Sequence, residues 1–179
     1  MAVTTASDAT PVRCRLRKLL WWLLGVCVGG SAILSAIGDW RARHVFLINA
    51  TESLPNWGFL IRRGELPHRG QYVFFDPPPS ALVRRHFGAR PSIFGKIVYG
   101  MPGDMVSHDG VVVRINGQPV ARMKPVTRFG EPLTPGIVGP VPNGCFFAGT
   151  PHKDGFDSRY AEIGFVCQRQ IIGVGEPVL

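Results

Sequence analysis

The sequence predicts a mainly β protein: a single extracytoplasmic domain of short antiparallel strands that follows one N-terminal transmembrane helix. The 179 residues include 22 glycines and 16 prolines. Both residue types interrupt helices, which favours a turn-rich β domain over a helical bundle. The dipeptide Asn116-Gly117 lies between two apolar runs and is typical of a β-hairpin, because a type I′ turn needs positive φ at two residues. The third observation is an uncharged apolar run, Leu19 to Gly38, which is long enough to cross a bilayer.

This apolar run predicts a membrane anchor. Its 20 residues would form a helix about 30 Å long, the thickness of the hydrocarbon core. Trp21 and Trp22 lie near one end and Trp40 near the other, where interfacial aromatics are favoured. Four of the residues from 13 to 18 are basic, which places this end in the cytoplasm. We therefore expect a cytoplasmic tail at 1–18, a transmembrane anchor at 19–38 and an exported domain at 39–179.

A cleaved signal peptide is the alternative to an anchor. Ala36 and Gly38 form a small-x-small pattern, although the apolar run is longer than the 7–15 residues usual in signal peptides. Both interpretations place the domain at 39–179 in an oxidising compartment.

Two of the four cysteines, Cys145 and Cys167, lie in this exported part. Their apolar, strand-like surroundings make them candidates for one disulfide. Closing a loop of about 20 residues would contribute roughly 3 kcal/mol in the chain-entropy description. Two buried free thiols are the alternative, because the sequence does not give the distance between the two Cβ atoms.

The exported part reads as short strands separated by turns. Apolar or aromatic runs bounded by glycine and proline are typical of strands; they occur at 59–61, 72–75, 111–115, 118–120, 145–147, 165–167 and 171–172. The segment from Ser80 to His86 follows three prolines and predicts a short helix with Ser80 as its N-cap. Residues 124–143 contain five prolines and are expected to form a long loop.

The charge pattern excludes several classes of function. The net charge is +8 and the pI is about 9.9, but outside the N-terminal cluster the basic residues are scattered, which argues against nucleic-acid binding. No cluster of Cys and His has the spacing of metal ligands in the sequence, so we expect neither a metal nor another cofactor. The remaining partners are the lipid bilayer and other proteins.

Three polar segments are candidates for chemistry. Ser53 precedes Leu54-Pro55, and Lys96 interrupts the apolar run 94–99. On a strand, Lys96 shares a face with Phe94 and Val98, so its amine either reaches water at an edge or is desolvated with a lowered pKa. The third segment, 149–159, reads GTPHKDGFDSR. Taken separately, these features are more typical of a loop serine, an edge lysine and a local ion pair.

Taken together and in this order, the three segments resemble the bacterial signal peptidase I family of Ser–Lys serine proteases. The similarity is greatest to its conjugative-transfer branch, the TraF-type pilin-processing peptidases. The family's serine box matches Ser53-Leu54-Pro55, followed by Gly58 as in that branch. Its lysine precedes a glycine-rich turn that matches Gly100-Met101-Pro102-Gly103-Asp104, and its last box aligns without gaps onto 149–159.

The resemblance implies a signal-peptidase-like β fold and a role for each matched residue. Lys96 would be the general base, Ser53 the nucleophile that forms an acyl-enzyme, and Asp157 a catalytic or supporting carboxylate. The oxyanion would be held by the Ser53 backbone N–H and the Thr51 hydroxyl. The sequence departs from the family where Thr150, Pro151 and His152 replace Asp-Asn-Arg, and where Gly155 replaces a serine that helps to position the lysine.

The resemblance also implies a location and a substrate. The chain would be a single-pass protein of the bacterial inner membrane with its catalytic domain in the periplasm. It would cleave exported precursors after a small-x-small site, the preferred substrate being a conjugative pilin that is either hydrolysed or cyclised. A general signal peptidase I is one alternative, and a non-catalytic membrane-anchored component of a conjugation or secretion apparatus is another.

Overall fold

The computed structural model describes residues 10–49 and 53–179, and it places the first element, helix α1, at Thr10–Arg43. The chain divides into two compact units, Met1–Ala42 and Arg43–Leu179. Within α1, residues Arg15–Arg43 are long and apolar enough to cross a membrane. The helix extends beyond the apolar run on both sides. This is because its flanks contain arginine, lysine and alanine, which favour helix.

The second unit contains eleven strands among the described residues, one short α-helix and a 3₁₀ helix at Gln168–Gln170. The strands are β1 (His44–Ile48), β2 (Gly58–Arg63), β3 (Tyr72–Phe75), β4 (Phe94–Gly100), β5 (Met105–Asp109), β6 (Val112–Ile115), β7 (Gln118–Arg122), β8 (Gly139–Pro140), β9 (Cys145–Gly149), β10 (Val166–Cys167) and β11 (Ile171–Pro177); the helix is α2 (Ala81–Phe87). A seven-stranded sheet has the order β1-β2-β11-β3-β4-β9-β10, and a four-stranded sheet has the order β7-β6-β5-β8. The pairs in both sheets are antiparallel, so the mainly β fold class is confirmed.

Local sequence signals correctly located the hairpin and the short helix. Asn116 and Gly117 have φ of 50° and 80° and join β6 to β7, as a type I′ turn requires. Ser80 caps α2, because its hydroxyl accepts a hydrogen bond from the Val83 N–H at 3.2 Å. The predicted loop at 124–143 is mostly irregular, but its residues 139–140 form β8 against β5.

The larger sheet has apolar side chains on both faces. One buried cluster joins Val73, Phe75 and Val98 to residues of β9 and to Val83 of α2. A second cluster, on the other face, contains Phe59, Phe74 and Leu54, with the two phenylalanine rings 5.2 Å apart. Strand β4 lies between β3 and β9 in the middle of this sheet, so a polar side chain on β4 is surrounded by protein.

A disulfide joins the two strands at one end of the larger sheet. Cys145 of β9 pairs directly with Cys167 of β10, and their Sγ atoms are joined as a disulfide. The enclosed segment, which spans a sequence separation of 22 residues, includes residues 149–159. Because the bond restricts the unfolded chain, it contributes on the order of 3 kcal/mol to the stability of the part that carries the candidate site.

Candidate functional site

Lys96 lies in the interior of the larger sheet, and it does not reach water at an edge. Lys96 is only 5% exposed, and it pairs with Val73 of β3. Its side chain lies on the face of β4 that also carries the buried Phe94 and Val98. The Nζ atom is 5.9 Å from the centroid of the Phe94 ring. Among residues 10–49 and 53–179 the structure gives this amine no hydrogen bond and no ion pair.

The pKa of Lys96 is lowered chiefly by this burial. Two nearby charges modify the effect in opposite directions: the Asp157 carboxylate raises the pKa, and the Arg159 guanidinium lowers it. A lysine with a depressed pKa has more of the neutral amine at working pH, which is the form that can accept a proton.

Asp157 and Arg159 form a buried ion pair whose charges act on the lysine. Asp157 is fully buried and Arg159 is 1% exposed. The guanidinium donates to both carboxylate oxygens, from Nε at 2.8 Å and from Nη2 at 2.9 Å. The Arg159 backbone N–H adds a third bond at 3.1 Å. Asp157 therefore acts on Lys96 through space, while its own hydrogen bonds go to Arg159 and, as described below, to Thr150.

The charge of Asp157 also reaches Tyr99, the last aromatic residue of β4. Burial raises the pKa of Tyr99 to about 12, and the Asp157 carboxylate adds to the increase. The phenol therefore stays neutral at physiological pH. Of these two titratable groups of β4, Lys96 is the one whose pKa is shifted toward the physiological range.

The Ser53-Leu54 segment packs against the same strand. Leu54 is 5% exposed, and its Cδ1 atom would lie 3.1 Å from a Cβ built on Gly95, the residue directly before Lys96. The Asn49 side-chain amide donates to the carbonyls of Leu54 and Asn56, at 3.3 Å and 3.0 Å. These contacts hold Leu54, the neighbour of the half-buried Ser53, against the face of β4 opposite the Lys96 side chain. Thr51, the predicted oxyanion residue, lies outside the described residues.

Thr150 links the serine segment to the buried ion pair. Its hydroxyl donates to the main-chain carbonyl of Ser53. Its backbone N–H donates to Asp157 Oδ2 at 3.0 Å, and its carbonyl accepts from Arg159 Nη2 at 2.6 Å. In the sequence, Thr150 is only a departure from the family box, and no role was predicted for it. The feature that could have pointed to Thr150 is the replacement of an acidic residue of the family box by a threonine directly after Gly149, the last residue of β9.

Two other acidic residues near the matched segments, Asp104 and Asp154, form hydrogen bonds or ion pairs with neighbouring side chains. Asp104 accepts hydrogen bonds from the Met101 N–H, the Asn116 amide and the Arg69 guanidinium, at 2.6, 2.8 and 2.5 Å, so this carboxylate fixes the Pro102-Gly103-Asp104 turn. Asp154 pairs with Lys124 and Lys153 at the surface.

A cleft of about 570 Å³ lies beside Thr150, between the β6–β7 hairpin and residues 150–153. Its charged lining side chains are all basic: Arg114, Arg122, Lys124, Lys153 and Arg159. Arg114 is paired with Asp109, Lys124 and Lys153 with Asp154, and Arg159 with Asp157. These carboxylates offset most of the positive charge of the cleft.

The buried lysine gives a pH-dependent prediction for stability. Because the folded pKa lies below the value of 10.5 for an exposed lysine, the unfolded chain binds more protons between these two values, and stability rises with pH across that window. Lys96→Met should therefore raise the Tm in detergent more at pH 7 than at pH 10. Lys153→Met is the control, since that side chain is 79% exposed. Equal gains at both pH values for Lys96→Met would contradict the prediction.

Comparison with known proteins finds similarity to signal peptidases. A family model described as signal peptidase, peptidase S26, matches residues 19–179. Among solved structures, a signal peptidase I from Enterococcus faecalis V583 is 23% identical, with a TM-score of 0.38, and the match covers 62% of this chain and 97% of that one. A comparison with curated protein sequences finds no match.

Proposed function

Because the chain belongs to the signal peptidase family, peptidase S26, we propose that it is a Ser–Lys protease that uses Ser53 and Lys96 to process a conjugative pilin precursor. Membership of the family itself makes the chain a serine protease of signal peptidase type, with a signal-peptide-bearing protein as its substrate. The serine–lysine pair, the pilin and the location in the inner membrane with a periplasmic domain belong to the proposal.

The observation that carries the proposal is the environment of Lys96. A lysine that is 5% exposed, without an ion pair among the described residues, weakens the fold, because burying an ammonium group without a partner is unfavourable. Such a residue is typical of functional sites, where burial tunes a pKa for proton transfer. The Thr150 hydroxyl donates to the Ser53 carbonyl, and the Thr150 N–H donates to Asp157, whose charge acts on the pKa of Lys96. This link supports Ser53 as the group that Lys96 activates.

In the proposed reaction, the acyl-enzyme forms in two steps. Neutral Lys96 Nζ takes the proton of the Ser53 hydroxyl, and Ser53 Oγ forms a bond to the scissile carbonyl carbon. The tetrahedral intermediate then collapses, and the proton on Lys96 passes to the departing amine, which leaves an ester on Ser53. The Ser53 backbone N–H and the Thr51 hydroxyl are the proposed donors to the oxyanion.

The ester can be resolved by either of two nucleophiles. Attack by water, with Lys96 again as base, releases the cleaved acid. Attack by an amino group of the same polypeptide forms an amide and releases a cyclic product. The cyclic product is lighter than the linear cleaved chain by one water.

The membrane anchor fits a substrate that is itself embedded in a membrane. Helix α1 contains a segment that is long and apolar enough to span a bilayer, and Ser53 follows its last residue by only ten positions along the chain. A signal peptide presents its scissile bond near the bilayer surface, so enzyme and substrate would meet by diffusion in the plane of the membrane.

The test follows a co-expressed pilin precursor and a general secretory precursor in membranes containing the full chain. Mass spectrometry should show the pilin cleaved after a small-x-small site by the wild type and left intact by Ser53→Ala. Cleavage of the secretory precursor alone would instead favour a general signal peptidase I. Processing of both precursors by Ser53→Ala at the wild-type rate would overturn the assignment of Ser53 as nucleophile.

A further inference from the structure

Thr150 makes the hydrogen bonds that join the serine segment to the buried ion pair. The residue is 1% exposed and follows the last residue of β9. Its hydroxyl donates to the Ser53 carbonyl and accepts from the His152 N–H at 3.2 Å. A buried hydroxyl whose donor and acceptor functions are both used has its rotamer fixed, and it fixes the groups bonded to it.

The register of the sheet places this threonine directly after the last residue of β9 that pairs with β4. Ile97 of β4 pairs with Gly149 of β9, and Val98 pairs with Ala148. Thr150 directly follows Gly149, and Lys96 directly precedes Ile97, so the threonine leaves β9 at the end of its pairing with β4. Thr150 therefore contacts the serine segment from the point where β9 ends beside β4.

Gly155 provides the space that Thr150 fills. A Cβ built on Gly155 would lie 2.2 Å from Thr150 Cγ2, and 2.9 Å from both Arg159 Nη2 and Asp157 Oδ2. These distances are far below van der Waals contact, so position 155 accepts only glycine while position 150 is threonine. The two departures from the family box are thus sterically coupled: the loss of a side chain at 155 makes room for the threonine methyl group.

From these contacts we propose that Thr150 is a positioning residue for the reaction and acts through the main chain of Ser53. The proposal rests on the function proposed for Ser53. The Thr150 hydroxyl fixes the peptide plane after Ser53, and with it the direction in which the Ser53 side chain leaves the backbone. Because misplacement of a reacting group by about 1 Å can cost roughly 10²-fold in rate, the hydroxyl affects catalysis without touching the substrate.

The experiment compares two pairs of variants that differ in the hydroxyl. Thr150→Val keeps the branched shape of the wild type and removes the hydroxyl. Thr150→Ser and Thr150→Ala both lose the methyl group and differ only in the oxygen. We expect kcat to fall about 10²-fold in Thr150→Val, with KM little changed, and we expect Thr150→Ser to cleave much faster than Thr150→Ala. The exposed Thr134→Val should resemble the wild type.

A second readout reports on Ser53 without a natural substrate. The rate at which a fluorophosphonate labels Ser53 in the full chain should fall in parallel with kcat, while the Tm of each variant shows that it is folded. If Thr150→Val does not accumulate as folded protein, the serine and alanine variants carry the comparison. The serine variant should then label faster than the alanine variant.

The outcomes separate this proposal from the one on which it rests. Loss of labelling and cleavage in Ser53→Ala, combined with wild-type rates in Thr150→Val, would overturn the positioning role and leave the proposed function intact. Equal rates for Thr150→Ser and Thr150→Ala would also overturn it, because the hydroxyl would then be irrelevant. Full cleavage by Ser53→Ala would remove the proposed function and the positioning role together.

Discussion

Ser53→Ala and Lys96→Met are each expected to reduce precursor cleavage by at least about 10⁴-fold, and the double variant is expected to be no slower than either single variant. The reason is that a nucleophile and its base act as one unit, so that removing either one removes the activated oxygen. The measurement is kcat/KM on a signal-peptide substrate in detergent, with the full chain. Ser92→Ala and Lys153→Met are the matched controls, because both residues are exposed.

The double variant provides the decisive comparison. If Ser53 and Lys96 contributed independently, their losses would multiply, and the double variant would fall far below both single variants. Such a multiplicative loss would contradict a shared step. Lys96→Met is chosen because methionine has a similar length and replaces a buried ammonium by an apolar group. The folded state should therefore survive, and loss of rate would report on chemistry.

Local signals in the sequence were sufficient for much of the β domain. The hairpin at Asn116-Gly117 and the N-cap at Ser80 were predicted because each depends on a few adjacent residues: two positive φ angles in one case and one side-chain hydrogen bond in the other. Strand β1, His44–Ile48, was not predicted. It follows helix α1 without a glycine or proline between them, so the turn signals used for the other strands were missing.

The contacts within the candidate site could not be predicted from the sequence. Whether Lys96 snorkels or is desolvated depends on whether β4 is an edge or a central strand, and this is decided by the pairing with β3 and β9. The contact of Thr150 with Ser53 joins residues 97 positions apart. The fit between Thr150 and Gly155 is a matter of interatomic distances. Order along the chain predicted the candidate residues, but it did not reveal these contacts.

Asp157→Ala is expected to lower the free energy of unfolding by about 3–5 kcal/mol, because it leaves the Arg159 guanidinium buried without its carboxylate. The same change removes an acceptor from the Thr150 N–H. Urea denaturation of the full chain in detergent measures the loss. Asp109→Ala is the control, since its side chain is 70% exposed and its ion pair with Arg114 lies at the surface. Equal losses in the two variants would contradict the prediction.

A double variant then separates the role of Asp157 in folding from its role in catalysis. Replacing a buried ion pair by apolar residues of similar volume is often neutral for stability, so Asp157→Leu combined with Arg159→Met should be more stable than Asp157→Ala. The Thr150 backbone would still lose its partners at Asp157 and Arg159. We therefore expect this double variant to be folded but about 10²-fold slower in cleavage. A folded double variant with the wild-type rate would mean that the ion pair serves the fold alone.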